Sequence, residues 1–270
     1  MFSMTDQEFS QLASYVKSHY GIYLKEEKRA MVEGRLHNLL MRHGASSFTD
    51  YFNHVLSDKS GEAVAALVNK LTTNHTYFMR EADHFYFFRD HILSELKQRV
   101  RNKDLRIWSA GCSTGEEPYT LAFFIDEFFG KEKALWDTKI LATDISTRVL
   151  DYAVKGVYSV DSVKNLPNHW LRNYFRKHES GYEIVDRIKR EVIFRKFNLM
   201  DRIFPFKKKF HIIFCRNVMI CFDKQTKAEL IRRFYDAMEY GAYLFIGHSE
   251  SINRGESPFK YVMPSVYRKE

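Results

Sequence analysis

Cysteine is scarce in this chain of 270 residues: Cys112, Cys215 and Cys221 are the only three. They form neither an even disulfide set nor a metal-like spacing, which excludes a disulfide-stapled secreted scaffold. Reduced thiols imply a cytoplasmic location. No run approaches the ~18 apolar residues of a transmembrane helix, so no membrane insertion is expected. The first twenty residues carry Asp6, Glu8 and Lys17, which is no signal peptide. The 11 histidines contain no H-x-x-x-H or H-E-x-x-H pair, so no metal site is expected. Internal repeats and low-complexity tracts are also missing.

What remains is ordinary globular composition, 45% apolar and 28% charged, long enough for one large domain or two modest ones. With 23 Phe and 16 Tyr, the core should be rich in aromatics. The formal charge of +8 is unevenly placed. Residues 155–210 hold 14 Lys/Arg against 6 Asp/Glu, and the rest of the chain is balanced. Such a surface suits an acidic partner, or is simply a solvated lysine-rich face.

Residues 5–70 read as helices, with Phe9, Leu12, Val16 and Tyr20, then Met31, Leu36, Leu39 and Leu40, at helical spacing. From 105 onward short apolar runs alternate with helical patterns. Candidate strands are Leu105–Ala110, Lys139–Thr143, Val192–Phe197, His211–Cys215 and Ala242–Ile246. Runs of this kind suit a parallel sheet covered on both faces. Between the second and third lie a helix (Leu166–Phe175) and a hairpin-like stretch beginning near Tyr182. The expected fold is α/β: a small N-terminal helical domain and linker over 1–85, then a doubly wound, Rossmann-like domain over 86–270. A small antiparallel β subdomain is inserted at about 157–195.

Ile107–Leu121, IWSAGCSTGEEPYTL, carries the most chemistry. It reads as a strand ending in the turn Gly111–Gly115 and opening a helix at Glu116-Glu117-Pro118. Glycines let a ligand approach the backbone, and a helix start offers unpaired N–H groups. A phosphate-binding loop needs Gly-Lys-Ser/Thr, and a dinucleotide fingerprint needs G-x-G-x-x-G; both are absent. Acids here suit a ligand with a cationic end, such as the ammonium and sulfonium of S-adenosylmethionine.

The second strand ends at Asp144, 29 residues after Gly115, where a carboxylate can accept ribose hydroxyls or cap the next helix. Asn198-Leu199 and Arg216-Asn217 follow the third and fourth strands, where a side-chain amide can read an adenine edge or serve a turn. Leu71–Glu81, LTTNHTYFMRE, is dense in hydroxyl and amide groups and closes with Arg80-Glu81. Its plainest reading is helix capping plus an exposed ion pair.

In order, LTTNHTYFMRE, WSAGCSTGEEPYTLA, ATDIS, FCRNVMI and LFIGHSES resemble the chemotaxis receptor methyltransferases, the CheR family. The resemblance runs from about residue 5 to the C-terminus. It implies an S-adenosylmethionine-dependent domain that esterifies glutamate side chains on the cytoplasmic helical domain of chemoreceptors, leaving S-adenosylhomocysteine. It also implies roles for particular residues. Asn74, Thr76 and Arg80 line the cofactor and substrate pocket, and Arg80 orients the acceptor carboxylate. Gly111, Gly115 and Glu116 meet the methionyl end, Asp144 the ribose, and Asn198, Leu199, Arg216 and Asn217 the adenine side.

A glutamate of pKa ~4.3 is already an anionic nucleophile at neutral pH, so no general base is needed. One departure stands out: the family usually reads FCRNVMIYF, and here Cys221 replaces the tyrosine. That leaves open a non-catalytic protein that binds S-adenosylmethionine or S-adenosylhomocysteine and docks on receptors. A basic insert and the basic face of Lys25–Arg42 would meet an acidic receptor bundle. The short turn from Lys177 to Tyr182 argues against dependence on a receptor C-terminal tether peptide. Nucleic acid is not an expected partner, because no proline-rich catalytic loop of base methyltransferases is present.

Overall fold

The computed structural model describes residues 3–72, 75–252, 255 and 257–270, which form two compact units. The smaller takes the chain up to His75 together with 198–201 and 221–227. It is helical, as expected. α1 (Asp6–Tyr20) starts where Thr5 and Glu8 cap each other and stops at Gly21, whose φ of 70° ends the helix. α2 (Arg29–His43), α3 (Phe48–Ser57) and α4 (Glu62–Leu71) follow. Phe9, Leu12, Val16, Val32, Leu36, Leu40, Val55 and Leu67 fill its core. Tyr20 and Met31 share the apolar periodicity, yet Tyr20 is half-buried and Met31 exposed.

The larger unit begins at Thr76, ten residues before the boundary read from sequence, because the linker 76–81 is bonded into it. α5 (Ala82–Phe87) and α6 (Leu93–Arg99) lead into β1 (Ile107–Ala110), α7 (Glu116–Phe129), β2 (Ile140–Asp144) and α8 (Thr147–Lys155). After β3 (Val157–Tyr158) come α9 (Val160–Val163), α10 (Asn168–Tyr174), β4 (Phe175–His178), β5 (Gly181–Ile184) and α11 (Asp186–Lys189). β6 (Val192–Lys196), β7 (Phe210–Cys215), α12 (Lys224–Ala237), β8 (Met238–Ile246), β9 (Phe259–Met263) and β10 (Val266–Lys269) complete the chain.

Seven strands form one sheet in the order β6-β2-β1-β7-β8-β10-β9. The first five are parallel, and β10 runs antiparallel to both β8 and β9. The chain builds from β1 outward through β2 to β6, then returns to β7 on the other side of β1. The loops after β1 and β7 therefore diverge, and ligands of doubly wound sheets sit at such a switch point. Three aromatic-rich layers hold the sheet. Trp108 of β1 donates to Thr143 at 2.9 Å and packs on Phe204, Phe206, Phe210 and Phe234.

Two expectations are corrected. The hairpin is β4–β5, joined by Glu179-Ser180, and lies upstream of the stretch beginning at Tyr182. The inserted sheet, in the order β3-β5-β4, ends at Ile184, and residues 192–196 belong to the edge of the large sheet. Val192–Lys196 is an exposed-edge strand rich in charge, so its sequence resembles the basic insert more than the core. β9 and β10 were not read from sequence at all: Lys260, Arg268 and Lys269 interrupt the apolar pattern of strands at and beside the sheet's edge.

Before β1, Asp104 accepts from Arg106 at 3.0 and 2.7 Å and from Lys208 at 2.9 Å, which holds its carboxyl down at about 2. This contact contributes stability above the ordinary value of 3.8 and loses it as pH falls towards 2. Asp104→Asn should therefore flatten the acid limb of the unfolding-stability curve between about pH 4 and 2, measured by denaturant titration at each pH.

Candidate active site

β1 runs directly into the turn Gly111–Gly115. Gly111 has φ 83°, and a Cβ on it would overlap the Val218 side chain. Gly115 has φ 96°, and its Cβ would lie 2.9 Å from Ala153 and 3.0 Å from the Tyr158 hydroxyl. Only glycine meets both demands at either position. The N–H groups of Gly111 and Cys112 donate to the Thr143 carbonyl at 2.8 and 2.9 Å, which ties the turn to the end of β2. Asp144 accepts from the Ser113 N–H at 2.9 Å and from the Ser146 N–H at 3.0 Å. Burial still raises its carboxyl above the ordinary value. Ser113 stands at φ 48°, and its hydroxyl is buried without a hydrogen-bond partner. A polar ligand in this turn would satisfy it.

The two acids after the turn diverge. Glu116 is buried, accepts from the Thr114 hydroxyl at 2.7 Å and lies beside the Tyr152 and Tyr158 phenols. Glu117 accepts from Ser109 at 2.7 Å and from Arg216 Nη1 at 3.3 Å, above β1 and β7. Burial pushes both carboxyls up, opposed at Glu117 by Arg216.

Arg216, at the end of β7, is 2% exposed in its side chain. Its Nε and Nη2 donate to Glu81 Oε2 at 3.2 and 2.9 Å, and Nη2 also donates to the Arg80 carbonyl. The guanidinium lies 5.0 Å over the Phe85 ring. Met79 and Glu81, on either side of half-buried Arg80, have φ of 62° and 56°. Left-handed backbone at non-glycine residues costs of order 1–3 kcal/mol each and persists only where neighbours enforce it. Glu81 is thus paired with Arg216, not with its chain neighbour Arg80 in the exposed pair that composition suggests.

Asn217, also left-handed at φ 60°, donates through Nδ2 to Glu81 at 3.1 Å and through its N–H to Glu250 at 2.9 Å. Glu250, buried, also accepts the N–H groups of Ile220 at 3.0 Å and Gly247 at 2.6 Å. It latches the loop after β7 to the loop after β8, and burial raises its carboxyl.

Among the predicted site residues, Thr76, Arg80, Gly111, Gly115, Glu116, Asp144, Arg216 and Asn217 share the larger unit. Asn198, Leu199 and Cys221 belong to the smaller: Asn198 donates to the His19 carbonyl at 2.7 Å, Leu199 is buried, and the Cys221 carbonyl accepts from Tyr23 at 2.7 Å. Asn74 lies outside the described residues.

The sequence reading passed over Glu81, Glu117, His84, His248 and Glu250 as site residues. Glu81, His84 and His248 place ligand atoms within 4.8 Å of one another. His84 is fully buried with both ring nitrogens unpartnered, and burial together with Arg216 pushes it down to about 4. Glu81, however, already accepts from Arg216 twice, from Asn217 and, at 3.3 Å, from the His248 N–H. That fills a carboxylate's lone-pair sites and leaves none for a cation.

The sequence itself decides the family. Residues 7–72 match the CheR methyltransferase all-alpha domain, and residues 74–267 match the CheR methyltransferase SAM-binding domain. The chain belongs to the CheR methyltransferase family. It is 42% identical over 271 residues to a chemotaxis protein methyltransferase of Borreliella burgdorferi, covering 99% of this chain and 95% of that protein. Chemotaxis protein methyltransferase 2 of Vibrio cholerae is 36% identical, covering 95% of this chain and 89% of that one. The chemotaxis protein methyltransferase of Escherichia coli is also 36% identical, over 98% and 91%. S-adenosylmethionine is accordingly the cofactor of this CheR protein. The orphaned Ser113 hydroxyl, the glycine turn and the Asp144 carboxylate fit it. No helix among the described residues is long and apolar enough to cross a membrane.

Glu250→Ala would strip three backbone N–H groups of their acceptor. At ~1–3 kcal/mol for a buried unsatisfied donor, unfolding free energy should fall by at least about 2 kcal/mol in denaturant titration.

Proposed function

We propose that this protein transfers a methyl group from S-adenosylmethionine to glutamate side-chain carboxylates of chemoreceptors, in the cytoplasm, giving methyl esters. The observation that carries the reading is Arg80. A cation with its backbone clamped by Arg216 and flanked by two left-handed residues supports a fixed point for an incoming carboxylate.

When bound, S-adenosylmethionine supplies an electrophilic methyl group on a sulfonium sulfur. The acceptor is anionic at neutral pH, so the protein needs no proton acceptor for it. The residues' work is alignment: Arg80 holds one carboxylate oxygen so that the other points along the line to the methyl carbon. Orientation of this kind is worth up to ~7–11 kcal/mol in well-ordered systems. Asp144 takes the ribose hydroxyls. Glu117, which stands above β1 and β7, supports a contact to the cationic methionyl end, together with or in place of Glu116.

The Glu179-Ser180 turn of the small sheet keeps the hairpin short, in line with methylation that does not require a receptor tether peptide.

The test is transfer of labelled methyl from S-adenosylmethionine to receptor-containing membranes, followed by alkali. Label released as methanol is the expected outcome. Cofactor binding without transfer, restored by Cys221→Tyr, would mark a receptor-docking protein in place of an enzyme. Asp144→Asn should weaken S-adenosylhomocysteine binding about 10- to 100-fold by calorimetry, the worth of one charge-assisted hydrogen bond.

A further inference from the structure

We infer that Arg216 is a positioning residue for Arg80 and not a ligand of the cofactor. The inference rests on the reading of Arg80 as the group that orients the acceptor carboxylate.

A guanidinium has five N–H donors in a rigid planar fork and keeps its charge at every accessible pH. In Arg216 the fork is consumed inside the protein. Nε and Nη2 grip Glu81, Nη1 reaches Glu117 at 3.3 Å, Nη2 also takes the Arg80 carbonyl, and the plane lies over Phe85. With its side chain only 2% exposed, little of it remains for a ligand.

Each of these bonds bears on the segment around Arg80. Glu81 is drawn to the end of β7 at φ 56°, and Met79 stands at φ 62°. Arg80, between them, is clamped at its own carbonyl. Asn217 and the His248 N–H take Glu81's second oxygen at 3.1 and 3.3 Å, so the segment is fastened to the ends of two strands. The arrangement also balances charge: Arg216 sits between Glu81 and Glu117, and Arg80 lies near enough to Glu117 to draw its carboxyl down against burial. A lysine at 216 would keep one positive charge but could not span Glu81, Glu117 and a carbonyl in one plane.

The experiment combines a double-mutant cycle with two binding-independent readouts on the full chain. Arg216→Lys should lower kcat/KM for receptor methylation about ten- to a hundredfold, chiefly through the receptor KM, as expected for an ångström-scale misplacement. In an Arg80→Lys background the same change should cost less than about twofold, because residues acting through one another are not additive. S-adenosylhomocysteine affinity should stay within about twofold of wild type. Amide exchange over 77–82 should speed up about tenfold, while that of α7 does not change. Glu81→Gln, which keeps the latch's shape and removes its charge, should show the same pattern if Arg216→Lys folds poorly.

A tenfold loss of S-adenosylhomocysteine affinity would make Arg216 a cofactor ligand and overturn the inference. So would equal losses in both backgrounds, or unchanged exchange over 77–82. If the wild type transfers no methyl group, the functional reading falls, and the exchange and affinity measurements still decide whether Arg216 holds the segment.

Discussion

A guanidinium that cannot shed its charge has been placed almost wholly out of water at the end of β7, and its surroundings answer to that. An unpaired buried charge is costly enough that partners must be supplied. Glu81, Glu117, the Arg80 carbonyl and the Phe85 ring supply them. Meeting this demand pulls the linker 76–81 onto the larger unit and fixes two left-handed residues around Arg80. It also turns Glu117 away from Glu116. Glu250 does the complementary work, gathering three backbone N–H groups so that the loops after β7 and β8 keep one shape.

The chemistry suits such a frame. An acceptor that is already ionised and a methyl group already activated leave little for acid–base residues to do. Rate then depends on geometry, and geometry depends on backbone held by buried ionic bonds. His84 fits this picture as a neutral packing group: burial and the adjacent Arg216 charge discourage its protonation, and its ring lies against Phe245 and His248.

Much of the fold is legible in the sequence because its signals are local. Five parallel strands carry continuous apolar runs, the helices of the smaller unit carry caps and 3.6-residue periodicity, and the glycine turn announces itself between them. The edges were harder. β6, β9 and β10 mix charge with apolar residues because one side of each meets water, so their pattern says little about which sheet they join. The insert was overextended for that reason: Val192–Lys196 looks basic like its neighbours but pairs in register with β2.

By itself the sequence determined the family, the cofactor, the alternation of strands and helices, and the need for glycine at 111 and 115. Those follow from residue types at short range, where backbone sterics and periodicity act. Tertiary structure alone decided which acid meets which base. Arg216 lies 135 residues from Glu81 and 99 from Glu117, and ionic partners at such separations are chosen by strand order. A carboxylate beside an arginine in the chain, like Glu81 beside Arg80, reads as a surface pair until the sheet brings a second arginine to it.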